Sequence, residues 1–138
     1  MYTFKWLSPQ LLLITWLRTP TTKGASEFVN DFKQLLENTT EPFFIITDLR
    51  KGRIIDVRIL EQLGKLSQHP HWAGSTAFSQ NPVSSIFADA FTHSHFVETA
   101  NNMTFDRPED AIAFLEKISP KLTDGIDWDS VLAIEHHS

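Results

Sequence analysis

The sequence predicts an α/β fold: one domain built on a mixed β-sheet covered by helices, in the order β-β-α-β-α-β-α-β-α. Apolar residues recur with helical spacing in stretches around residues 25–36, 59–66, 83–91 and 111–118. Short runs rich in Leu, Ile, Phe and Trp alternate with those stretches, which implies parallel crossovers between strands. Phe43, Phe44, Ile45 and Ile46 are apolar without interruption, as a strand buried on both faces by helices requires.

Each element has a local reason. Residues 3–7 and 11–17 are apolar runs separated by Ser8-Pro9-Gln10, the signature of a hairpin. Beyond Pro20, Ala25, Phe28, Val29, Phe32, Leu35 and Leu36 mark one stripe of an amphipathic helix running from Thr22 to about Asn38. Pro42 restarts the chain as the candidate central strand, ending at Thr47-Asp48. After a loop, Ile59, Leu60, Leu63 and Leu66 form a second stripe, with Asp56 placed to cap it and His69-Pro70-His71 to stop it. Residues 73–78 read as a short strand whose Gly74, Ser75 and Ala77 permit close packing. Asn81-Pro82 opens a third helix with the stripe Val83, Ile86, Phe87, Ala90 and Phe91. A short strand is expected at residues 96–99, joined by residues 103–105. Asp106-Arg107-Pro108-Glu109 has the form of a capping box before a fourth helix carrying Ala111, Phe114, Leu115 and Ile118. Residues 1–118 are expected to form the domain. Residues 119–138 form an apolar tail around Trp128, Val131 and Leu132, with a short helix docked on the domain or at a homodimer contact.

Composition narrows function. A chain of 138 residues has the size of one core, and 41% hydrophobic with 21% charged residues places it in the globular class. Zero cysteine excludes disulfides, thiol catalysis and cysteine-ligated metal. A net charge of -5 argues against a general nucleic-acid binder, which needs a positive stripe. The apolar stretch of residues 11–17 is too short to span a bilayer, and Ser8-Pro9-Gln10 interrupts any export-signal pattern, so no transmembrane segment and a cytoplasmic location are expected.

Residues 44–60, FIITDLRKGRIIDVRIL, carry a family pattern: a buried strand, Asp48-Leu49, a short loop, the apolar pair Ile54-Ile55, then Asp56 at a helix start. With the hairpin and the alternating order, this resembles the STAS domain superfamily, most closely its SpoIIAA-like branch of anti-sigma factor antagonists, over roughly residues 2–118. The resemblance implies a non-enzymatic module that binds a protein partner or, in some members, a small ligand. Val57 and Arg58 stand where the antagonists carry a phosphorylatable serine, and neither accepts phosphate. The phosphorylation switch of the antagonists is thus absent from this site.

The candidate binding set follows from the same segment: Asp48, Arg50, Lys51, Arg53, Asp56 and Arg58. Ligands of open α/β sheets favour the carboxyl ends of the strands, and a helix N-terminus attracts anions. The cations gather at one point of an acidic chain, suited to an anionic ligand or an acidic partner surface; a solvated loop whose cations pair with Asp48 and Asp56 is the plainer alternative. Trp72, Phe78, Ile86 and Phe87 are candidates for an apolar ligand pocket, the alternative function being a carrier of a lipid-like molecule. His69 with His71, and His93 with His95, have the H-x-H form of metal ligands, but no third ligand is identifiable at fixed spacing, and no metal, cofactor or catalytic residue is assigned. Neither a Gly-x-Ser-x-Gly elbow nor a phosphate-binding glycine loop occurs.

Overall fold

A two-residue turn at Pro9-Gln10 joins β1 (Tyr2–Ser8) to β2 (Leu11–Trp16) as an antiparallel pair in a computed structural model that describes residues 2–52, 56–79 and 102–132. The register shifts between Trp6 and Ser8, so the strand bends as it enters the turn. α1 (Thr22–Asn38) returns the chain to β3 (Phe43–Asp48), and α2 (Val57–Leu66) returns it to β4 (Trp72–Phe78). β5 (Asn102–Phe105) completes a five-stranded sheet in the order β1-β2-β3-β4-β5, parallel except at β1. The expected central strand β3 therefore occupies the middle of the sheet.

Parallel neighbours joined by right-handed crossovers put their connecting helices on one face. α1 and α2 accordingly pack together over a first core. Side chains of β2 alternate between faces: Leu12, Ile14 and Trp16 enter the first core, while Leu11 and Leu13 enter a second. β3 divides likewise, Phe43 and Ile45 against Phe44 and Ile46. The first core is aromatic. Phe28 lies 4.7 Å from Trp16 and stacks parallel to Phe32 at 5.9 Å, and Trp72 meets Phe32 edge-on at 5.5 Å. Each fully buried ring is worth about 1.5–3 kcal/mol.

The second face is closed from the other end of the chain, by α3 (Pro108–Ile118) and the segment leading to α4 (Trp128–Val131). Ala111, Leu115, Leu122 and Leu132 are buried against Leu11, Leu13, Ile46 and Phe78. Among the described residues of the tail, Ile126, Trp128 and Val131 are partly buried against the same core.

One expectation changes, and others fall on residues outside those described. β5 is formed by residues 102–105, whereas the strand expected at 96–99 lies outside the described residues, as do the expected third helix with Ile86 and Phe87, the pair His93 and His95, and Arg53. The capping box before α3 does not form. The cap position falls on Arg107, which makes no side-chain cap bond, because Pro108, with φ preset for a helix, takes the first turn and leaves Asp106 one residue too early.

Candidate functional site

The carboxyl ends of β2, β3 and β4 and the N-termini of α1 and α2 form one rim of the domain. Asp48 ends β3 in the row of Phe44 and Ile46, beside Phe78, and is 6% exposed. Its carboxylate accepts three bonds from Arg50: from the backbone N–H at 3.0 Å, from Nε at 3.0 Å and from Nη2 at 2.8 Å. The same Nη2 donates to the Leu132 carbonyl at the end of α4, and the guanidinium lies 5.4 Å from the centre of the Phe78 ring. The bond to Asp48 raises the Arg50 pKa, against the opposing effect of burial, so the group is a fixed cation. Arg50, expected on the binding surface, is directed inward and holds the C-terminal segment onto the strand ends.

The loop after Arg50 runs close to the chain before α1. A Cβ on Gly52 would lie 2.2 Å from the Arg18 carbonyl carbon, so only glycine permits this approach. Asp56 caps α2 as expected, accepting from the Arg58 N–H at 2.9 Å, and it also accepts from the Thr22 hydroxyl at 3.3 Å. Thr21 caps α1 through a bond from the Gly24 N–H at 3.1 Å. The two helix starts are thereby tied side by side. Of the expected binding set, Lys51 and Arg58 point to solvent, Asp48 and Arg50 are joined in an ion pair, and Asp56 serves as a cap.

Of the residues expected to line an apolar pocket, Ile86 and Phe87 lie outside the described residues, and Trp72 and Phe78 enter different cores. Trp72 and Phe78 are six residues apart, which in a regular strand would put them on one face. The register shifts between Phe43 and Phe44, opposite Trp72 and Gly74, and this bulge turns Trp72 into the first core while Phe78 is fully buried in the second. The histidine pair also has structural work. His71 Nδ1 lies 2.9 Å from the Leu36 carbonyl and 2.9 Å from the Thr39 hydroxyl, at the C-terminus of α1. His69 Nδ1 accepts from the His71 N–H at 3.0 Å. Among the described residues no group of three or more His, Asp or Glu side chains is placed to hold a metal, and no described helix is long and apolar enough to cross a membrane.

The rim also brings in residues that the sequence reading missed. Arg18 and Lys23 are exposed on either side of the α1 cap, and Leu17 and Val57 are exposed at 47% and 55%. The available signal was topological. Consecutive right-handed crossovers place the first turns of α1 and α2 at the same sheet edge, so Lys23 and Arg58 had to be neighbours of one rim.

A small α/β fold of this kind, with one antiparallel edge and parallel crossovers, is shared with known structures. The structure of the anti-sigma factor antagonist SpoIIAA in its unphosphorylated form superposes with a TM-score of 0.57 at 12% identity, covering 99% of this chain and 100% of that one. A protein of the DUF3478 family with a SpoIIAA-like fold, from Shewanella loihica PV-4, superposes with a TM-score of 0.52 at 10% identity, covering 83% of this chain and 92% of that one. The chain therefore has a SpoIIAA-like fold. No model of a known protein family matches the sequence, and no curated protein matches it.

Proposed function

We propose that this chain is a non-enzymatic regulatory or protein-interaction module of the SpoIIAA-like fold, which contacts its partner through the rim at the carboxyl ends of the strands and lacks the phosphoserine switch. One observation carries the reading: Lys51, Val57 and Arg58 are all exposed at the start of α2 and in the loop before it, where the two helix N-termini also lie. Surface loops held by a rigid scaffold are where binding residues concentrate. Val57 at the first position of α2 offers no hydroxyl at the place where the antagonists carry their phosphorylatable serine.

A photo-crosslinking residue placed at Lys51 or Arg58, in cells that naturally produce the chain, is expected to give a discrete protein adduct. The same residue at Lys117, exposed near the end of α3 on the other face, should give none. Absence of an adduct at both rim positions would refute the reading, as would equal labelling from Lys117.

A further inference from the structure

The rim carries more charge than the α2 start alone. Arg18 and Lys23 on the α1 side join Lys51 and Arg58, and all four are exposed. Among the described residues none of the four forms an ion pair: the pairs there are Arg50 with Asp48 and Arg107 with Glu109. Lys23 and Arg58 occupy the first turns of α1 and α2, and neither first turn has an acidic residue. This is the helix end where the peptide dipole disfavours cations and favours anions. Charge optimised for stability alone would put Asp or Glu in these first turns, as Asp56 stands at the cap of α2. Glu27 and Glu61 lie about one turn further along each helix without bridging to these cations.

Apolar surface is interleaved with the charge. The exposed large hydrophobics among the described residues are Trp6, Leu17 and Val57, and the last two sit on this rim. Leu17 precedes Arg18, whose backbone lies against Gly52, and Val57 follows Asp56, which is bonded to Thr22. Cations, two helix N-termini and two uncovered aliphatic side chains thus share one edge of a molecule whose net charge is -5.

We infer that the partner presents an acidic amphipathic segment, with carboxylates that meet Arg18, Lys23, Lys51 and Arg58 and apolar side chains that cover Leu17 and Val57. The inference rests on the interaction reading above and names the partner's chemistry. A single segment meets only the rim, whereas an extended anionic surface such as a membrane or a duplex also faces the acidic remainder of the body and is repelled by it.

The test uses a synthetic helical peptide of Glu and Leu with Leu along one face, a Glu and Ser peptide of equal charge, and phosphatidylserine vesicles. The Glu–Leu peptide should bind the native chain and weaken as salt rises. It should bind at least about tenfold more weakly to Lys51→Glu/Arg58→Glu and to Leu17→Ser/Val57→Ser, and unchanged to Lys117→Glu. Equal binding of the Glu–Ser peptide would overturn the inference, and so would vesicle binding without peptide binding, or an equal loss at Lys117→Glu. If rim adducts form and the Glu–Leu peptide does not compete with them, the inference fails while the interaction reading stands; if no rim adduct forms, the reading itself fails.

Discussion

The two faces of the sheet are assembled in different ways. Among the described residues the first core draws its members from residues 2–77, and its aromatic rings are brought together by consecutive strand–helix–strand units. The second core is mostly aliphatic and is closed by residues 105–132, which return across the sheet from the far end of the chain. Its closure at the rim depends on a residue from the first half, Arg50, reaching the Leu132 carbonyl. The first face is therefore held by elements close in sequence, and the closure of the second includes the long-range contact of Arg50 with Leu132 over a hydrophobic seam. Adjacent cations diverge for the same reason: Arg50 faces the second core and is used in folding, while Lys51 faces solvent.

The largest expected effect breaks that difference. Arg50→Ala leaves Asp48, 6% exposed, without its cation and frees the Leu132 carbonyl. Breaking a buried pair costs about 3–5 kcal/mol, and because the Arg50 side chain keeps 19% of its exposure the loss should lie near the low end, about 3 kcal/mol. Hydrogen exchange should accelerate in residues 119–132 before it does in α1 or α2. Arg50→Lys should restore part of the stability but not the second bond, since a point charge replaces a planar fork. Uniform acceleration over both faces would show that the contact is not specific to the second core.

How much of this was legible in the sequence follows from the same contrast. The helical stripes of α1, α2 and α3, the hairpin, the central strand and the Asp56 cap appear where spacing and capping chemistry put them, because each is decided within one or two turns of chain. The inward turn of Arg50 depends on Leu132, 82 residues away, and no local pattern encodes that meeting. The bulge opposite Phe43 was hidden for a similar reason: Ala73 and Gly74 permit it, but the packing of Trp72 on Phe32 makes it happen. Lys23 and Arg58 are 35 positions apart in sequence, and only the crossover geometry makes them members of one rim.

A smaller effect, of opposite sign, sharpens the comparison on the second face. Thr76 lies in the row of Phe78, paired with Ile46 and Met103, and is 1% exposed with its hydroxyl unbonded. A buried hydroxyl without a partner loses its hydration and gains nothing in return. Thr76→Val keeps the β-branched shape and should stabilise the chain by about 1 kcal/mol, read as a higher denaturant midpoint with an unchanged slope. A loss of stability would mean that the hydroxyl has a role the packing does not reveal.

The smallest effect at neutral pH belongs to the margin of the first face. Tyr2 is the single tyrosine of the sequence, packed against Phe4, Trp16 and Phe28 with its phenol donating to Asp31. Burial, then the bond to Asp31 and its negative charge, push the phenol from 10.0 up to about 12. The folded chain then keeps its proton over a range in which the unfolded chain has lost it. Where the unfolded state binds fewer protons stability falls with rising pH, so the contribution of Tyr2 is complete below 10.0 and is lost progressively up to about 12. Tyr2→Phe should cost less than about 1 kcal/mol at neutral pH and should flatten this alkaline decline. Ultraviolet difference absorbance reads this one phenol directly. A folded-state titration near the ordinary tyrosine value, or an alkaline decline unchanged in Tyr2→Phe, would show that the first face does not shield its edge strand.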